Sequence, residues 1–231
     1  MSKIDFVNKF NEICETNNFN FNPVIEYGIK VSSTNVNTDR VNINVLDNTL
    51  TEDIILKKFI TLFDNNKNIS KFIKNIYREH PVQNVFFGYS NGETELYCEM
   101  YEPGESSYCH AYNSTKDEIS EYYPLVDANE PIEQLCNLIT EYTGLIIPEP
   151  NEIFKGGFIR DKNAYYFLVL EPMVRLKDIL KQICCIINPD ETEIINEWFE
   201  ENKDNTLTHI AYSAENENLI LNIYTNESRS N

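Results

Sequence analysis

A carboxylate and two cations fall on one face of the first predicted β-hairpin, whose strands cover about residues 24–33 and 39–46. Residues i, i+2 and i+4 of a strand share a face, so Glu26 and Lys30 lie on the polar side of the first strand and Arg40 on the polar side of the second. A carboxylate can take up a proton, and cations can hold an anionic group. If this face lines the inside of a barrel, it would form the wall of a reaction chamber.

The opposite face of the same hairpin is apolar, which leaves two interpretations of the polar face open. Its apolar residues are Ile25, Tyr27, Ile29, Val31, Val41, Ile43 and Val45. The polar face either meets bulk water or lines a barrel. In the first case Glu26 and Arg40 could be a simple cross-strand ion pair, which contributes under about 1 kcal/mol when exposed.

Hairpin patterns of this kind recur four times along the chain. Their predicted strands are 24–33 with 39–46, 83–90 with 94–101, 153–160 with 164–171, and 207–213 with 218–225. Apolar residues at helical spacing predict helices over 3–16, 51–62, 69–78, 129–142, 174–187 and 190–202. Residues 103–127 are predicted to be irregular.

The constant content of two strands and two helices suggests a repeated supersecondary unit. We therefore expect an α+β fold in which residues 1–231 form a single domain, since no linker rich in Gly, Ser or Pro divides the chain. The eight predicted strands could close into a barrel, or an edge strand could pair with a second copy. An open antiparallel sheet with helices on one face is the alternative.

The overall charge narrows the classes of partner. The 231 residues carry a formal net charge of −18, which disfavours nucleic acids and anionic membranes. No apolar run reaches the roughly 18 residues of a membrane span, and the N-terminus does not resemble a secretory signal. The six cysteines lack a C-x-x-C pair and have no zinc-ligand spacing, so we expect reduced thiols in a cytoplasmic protein without a metal site of its own.

Several short stretches share their pattern with a known family. They are Glu26-x-x-x-Lys30-Val31-x-Ser33 with Arg40-Val41, Asn91-Gly92-Glu93-Thr94-Glu95-Leu96, Ile153-Phe154-Lys155-Gly156-Gly157 leading to Tyr165-Tyr166, and the last hairpin from His209 to Tyr224. Together they resemble the aromatic prenyltransferase-barrel (ABBA) family, and within it most closely the cyanobactin-type peptide prenyltransferases. The resemblance implies helices around a solvent-filled antiparallel barrel. The family has five repeats and ten strands, so four hairpins predict a chain shortened by about one repeat, missing between the first and second hairpins.

The resemblance implies transfer of a dimethylallyl or longer prenyl group from its diphosphate to an aromatic or peptide acceptor. Glu26 matches the acidic residue that deprotonates the acceptor. The diphosphate needs cations, for which the candidates are Arg40, Lys30, Lys155 and Arg160. Magnesium would supplement them by bridging phosphate oxygens and a carboxylate. Aromatic rings would shield the carbocation by cation–π attraction, and the candidates are Tyr97, Tyr101, Tyr166, Tyr212 and Tyr224.

The acidity of the chain favours a second, non-enzymatic hypothesis, because a polyanionic diphosphate would meet an adverse field. The protein would then be a catalytically inactive acidic α+β module that binds a basic or peptide partner. An inner face with clustered Arg and Lys would favour the enzyme, whereas a face lined by carboxylates would favour the binding protein. The tyrosines could equally be packing residues, and His209 could be structural.

Overall fold

Strands closed into an antiparallel barrel form the centre of the fold. This computed structural model describes residues 1–46, 50–64, 66–100, 108–161, 165–171, 176–215 and 218–226. The strands are β1 Val24–Ser32, β2 Asn35–Val45, β3 Val82–Ser90, β4 Glu93–Met100, β5 Cys109–Asn113, β6 Glu118–Pro124, β7 Phe154–Arg160, β8 Tyr165–Leu170, β9 Thr206–Glu215 and β10 Asn218–Asn226. Their order around the barrel is β1-β10-β9-β8-β7-β6-β5-β4-β3-β2. The predicted α+β class and the closure of the sheet are confirmed.

The helices lie outside the barrel, as predicted. They are α1 Lys3–Thr16, α2 Glu52–Ile54, α3 Lys67–Glu79, α4 Asn129–Thr143, α5 Pro150–Ile153, α6 Lys177–Ile187 and α7 Thr192–Asn202. The predicted helix 51–62 is instead a short α-helix that continues as a π-helical turn, Ile55–Phe59, and a 3₁₀ turn, Ile60–Phe63. In the described part of the chain, no helix has both the length and the apolar character needed to cross a membrane.

A fifth hairpin, β5 with β6, corrects the prediction of four hairpins. It lies within 103–127, which the sequence analysis treated as irregular, and it follows the second hairpin rather than preceding it. The prediction that the chain lacks one hairpin is therefore wrong. The pattern was hidden because β5 is only five residues long and its turn is polar. That turn is stabilised by Asn113, whose side-chain oxygen accepts the backbone N–H groups of Thr115 and Lys116 at 3.0 and 2.9 Å.

The chain divides into two compact units. Unit 1 comprises residues 1–26 and 39–123, and unit 2 comprises residues 27–38 and 124–231. Strands β1 and β2 each contribute residues to both units. Each unit has its own internal contacts, and the single domain stays a prediction.

Unit 1 packs its strands against α1, α3 and the segment after α2 through a cluster of aromatic rings. The ring of Phe59 lies 5.1 Å from that of Phe87 on β3 and 5.3 Å from that of Phe10 on α1. Val85, Phe87 and Tyr89 alternate with Asn84, Phe86 and Gly88, so the second set points away from the helices, to the inner face of the barrel.

Unit 2 packs β7 to β10 against α4, α6 and α7. Its buried cluster includes Ile29 and Val31 of β1, Leu168 of β8, Tyr212 of β9 and Trp198 of α7. Residues of opposite parity on the same strands therefore face the inside of the barrel.

Candidate functional site

Among the described residues, β1 and β4 carry four carboxylates on the inner face of unit 1. Glu93, Glu95 and Glu99 alternate along β4 with the buried Thr94, Leu96 and Cys98, and Glu26 lies on β1. We call these four residues the carboxylate face. Glu26 is 7% exposed, which is unusual for an ionisable side chain.

Glu99 is held by hydrogen bonds from two neighbouring chain segments. Asn84 on β3 donates from its Nδ2 to Glu99 Oε2 at 2.8 Å, and the hydroxyl of Tyr108 is a second donor. Burial raises the pKa of Glu99, and the charge of Glu26 raises it further, while the two hydrogen bonds lower it in part. Glu26 and Glu99 are thus close enough for their charges to oppose each other, which favours a proton on Glu99.

The groups next to Glu99 do not compete for that proton near neutral pH. Burial and the neighbouring Glu99 carboxylate raise the pKa of Tyr108. The pKa of Cys109, directly opposite Glu99 in the β4–β5 register, is raised well above its usual value, chiefly by burial. Both residues therefore stay neutral near neutral pH.

Glu93 and Glu95 form the other half of the carboxylate face. Asn113 donates from Nδ2 to Glu93 Oε2 and to Glu95 Oε1, both at 3.0 Å. Lys116 approaches Glu93 Oε2 to 3.0 Å, but both side chains are substantially exposed. The hydroxyl of Tyr97 donates to Glu95.

The ring of Tyr97 covers Gly88 on the neighbouring strand. A Cβ at Gly88 would lie 3.0 Å from Tyr97 Cε2 and 3.2 Å from Asn42 Oδ1, so only glycine leaves the ring in place. Tyr97 also lies 6.1 Å, centroid to centroid, from Tyr122. The carboxylates of unit 1 are thereby flanked by two phenol rings.

Asn44 adds an acceptor to this inner face. It lies opposite Phe86 in the β2–β3 register, and Asn84 is its diagonal neighbour on β3. Asn44 is 7% exposed and its Oδ1 has no hydrogen-bond partner among the described residues. Such a buried, unpaired acceptor costs about 1–3 kcal/mol. A ligand that donates a hydrogen bond to Asn44 Oδ1 would remove this cost.

The predicted cations are distributed over the two units. Arg40 belongs to unit 1 and is half-buried, whereas Lys30, Lys155 and Arg160 belong to unit 2. Lys155 Nζ lies 3.0 Å from a carboxylate oxygen of Glu171, and Arg160 Nε lies 3.2 Å from that of its neighbour Asp161. Within unit 1 the face that carries Glu26 has more carboxylates than cations.

The predicted tyrosines also separate into different environments. Tyr97 lies on the inner face of unit 1, and Tyr101 lies outside the described residues. Tyr166 and Tyr212 instead belong to the cluster that packs against the helices of unit 2. The Tyr212 hydroxyl donates to the carbonyl oxygen of Pro131 at 2.6 Å.

Tyr224 stacks on His209 in unit 2, with ring centroids 4.1 Å apart. Thr208 Oγ1 donates to the carbonyl oxygen of Tyr224 at 3.2 Å and lies 3.1 Å from His209 Nδ1. His209 is therefore integrated into a local hydrogen-bonded stack.

Sequence reasoning missed Asn84 and Tyr108 as members of a site, and it placed Asn44 and Glu99 on polar strand faces without giving either a role. One signal was available, since the alternation in Glu95-Leu96-Tyr97-Cys98-Glu99 places carboxylates and a phenol on one face. In the described residues, no three His, Cys, Asp or Glu side chains form a group that could hold a metal ion.

Comparisons with known proteins find no family model and no curated protein that matches this chain. The family resemblance therefore stays a hypothesis. The arrangement in unit 1 consists mainly of hydrogen-bond acceptors with negative charge, together with aromatic rings. Chemically, it can hold a positively charged donor and exchange a proton.

Proposed function

We propose that the protein is a binding protein whose carboxylate face takes a protonated amine or guanidinium group. The observation that carries the proposal is the presence of the buried Glu26 on the same inner face as Glu93, Glu95 and Glu99. This is the arrangement expected of the non-enzymatic alternative, a module for a basic or peptide partner.

Two features of unit 1 and the charge of the whole chain support this ligand class. Carboxylates form strong hydrogen bonds with charged N–H donors. The rings of Tyr97 and Tyr122 offer cation–π attraction, about 0.5–2 kcal/mol for each ring. The net charge of −18 adds a field that draws cations to the protein. The six free thiols suit a reducing compartment, so we place the protein in the cytoplasm.

The test is calorimetric titration of the intact protein with three ligands: benzylammonium, a short lysine peptide and uncharged benzyl alcohol. We expect saturable binding of the charged ligands and none of the alcohol. The relative affinities of amine and peptide tell whether the natural ligand is a small molecule or a side chain of a partner.

Two matched variants locate the site. Glu95→Gln removes one carboxylate of the face, and the loss of one charged hydrogen bond weakens binding about tenfold or more. Glu12→Gln removes the same charge from the exposed surface of α1 and should leave the affinity unchanged. Equal weakening in both variants would attribute binding to net charge and overturn the proposal.

A second candidate, prenyl transfer, is favoured by the closed barrel of ten strands arranged as five hairpins. In this case the bond between the allylic carbon and the diphosphate oxygen breaks, the acceptor forms the new bond, and Glu26 takes the acceptor's proton. Arg40 would hold the diphosphate, magnesium would supply further positive charge to the leaving group, and Tyr97 would shield the cation. Saturable binding of a prenyl thiodiphosphate that is lost in Arg40→Ala would support this candidate. No binding to folded protein would reject it.

A further inference from the structure

Two carboxylates on the inner face of unit 1 oppose each other. Glu26 is buried on β1, and Glu99 is held on β4 by the side chains of Asn84 and Tyr108. Two ionised carboxylates in such a site repel each other, so one of them retains a proton more strongly than an exposed carboxyl does. Burial raises the pKa of Glu99, and the charge of Glu26 raises it further.

We infer that an organic cation binding at the carboxylate face expels a proton from the Glu26–Glu99 pair, so that ligand and proton compete for one site. This inference rests on the proposed function. The O–H bond of the Glu99 carboxyl breaks, the proton passes to the solvent, and the ligand's positive charge takes its place beside two carboxylates.

An independent feature of the same inner face points to a ligand that donates hydrogen bonds. Asn44 is more than nine-tenths buried, and its Oδ1 lacks a partner among the described residues. It lies diagonally across from Asn84, which in turn holds Glu99. A protonated primary amine has three N–H donors, enough for Asn44 and two carboxylates of the carboxylate face.

The titratable groups near Glu99 come from four segments. They are Glu26 on β1, Glu95 and Tyr97 on β4, Tyr108, and Cys109 on β5. Tyr108 and Cys109 have raised pKa values and stay neutral between pH 5 and pH 8. Because Tyr108 and Cys109 stay neutral, the local charge changes mainly when Glu99 gains or loses a proton. A bound cation favours the ionised form of Glu99.

The experiment is titration of wild-type protein with benzylammonium at several pH values, each in buffers that differ in ionisation enthalpy. We expect release of up to one proton per ligand at acidic pH and of none at the alkaline end. The affinity should rise with pH by at most about tenfold per pH unit while a proton is being released. Binding with no proton exchange and with an affinity independent of pH would overturn the inference but leave the proposed function standing. Absence of binding at every pH would instead reject the proposed function.

Two variants separate the role of the Glu99 carboxyl in proton release from the role of the Asn44 amide in ligand binding. Glu99→Gln keeps an oxygen for Asn84 but cannot titrate, so proton release should disappear. Asn44→Ala should weaken binding several-fold and leave the number of released protons unchanged. Undiminished proton release in Glu99→Gln would assign the proton to another group and contradict the inference.

Discussion

Tyr212 offers the sharpest test of which tyrosines are structural. The side chain is 1% exposed, and its hydroxyl donates to the carbonyl oxygen of Pro131 in the first turn of α4. Tyr212→Phe deletes that hydrogen bond and leaves the ring in place. A hydrogen bond of this kind contributes a net 0.5–1.5 kcal/mol, so we expect the free energy of unfolding to fall by about 1 kcal/mol. For a chain of this length, that loss lowers the melting temperature by roughly 2–4 °C.

The assay is urea unfolding of wild-type and variant proteins, followed by circular dichroism at one pH. The slope of free energy against urea should not change, because the unfolded surface is the same. Tyr166→Phe is the matched control. The ring of Tyr166 lies 5.5 Å from that of Tyr212, centroid to centroid, but the Tyr166 hydroxyl makes no hydrogen bond within the described residues. That control should lie within about 0.5 kcal/mol of wild type. If Tyr212→Phe is as stable as wild type, or loses affinity for benzylammonium, the placement of Tyr212 in the helix-facing core is refuted.

Three further perturbations address the core, the carboxyl pair and a helix end. Phe59→Ala empties a fully buried position between Phe10 and Phe87, and should cost about 3–5 kcal/mol in urea unfolding; a loss below 1 kcal/mol would argue against this packing. The pKa of Glu99 is raised above its ordinary value of 4.5, so the folded state binds this proton more tightly and stability falls as the pH rises through and above that value. Glu99→Gln should therefore gain stability relative to wild type between pH 4 and pH 8, and a constant difference would contradict the raised pKa. Gly144 ends α4 with φ at +72° and nothing lies within 4 Å of its missing Cβ, so Gly144→Ala should cost about 1 kcal/mol of backbone strain alone; an unchanged melting temperature would be inconsistent with that conformation.

Local patterns predicted most elements of this fold. The apolar spacing in residues 3–16 corresponds to α1, and Asn91-Gly92 marks the turn between β3 and β4. The segment after Ile54 was predicted as an ordinary helix, because apolar spacing over so few residues does not distinguish π and 3₁₀ turns from an α-helix. The hairpin of β5 and β6 was missed because short strands with polar residues carry little periodicity.

The site was predictable only in part, for reasons that differ between residues. Alternation in β1 was enough to predict that the side chains of Glu26 and Ile29 lie on opposite faces of that strand. Alternation in β9 also indicates the environment of Tyr212. This residue shares its parity with the apolar Ile210 and therefore faces the helices. The contact of Asn84 with Glu99 follows the regular register set by the Asn91-Gly92 turn, so that turn was enough to predict it, and the irregularity in register lies beyond this pair, toward Val82.

The central claim is that the carboxylate face binds organic cations, and its most direct test is benzylammonium titrated into wild type, Glu95→Gln and Glu12→Gln in parallel. We predict saturable binding to wild type and to Glu12→Gln with equal affinity, and binding about tenfold weaker or more in Glu95→Gln. The absence of saturable binding to folded wild-type protein, or equal affinities in wild type and Glu95→Gln, would contradict the claim.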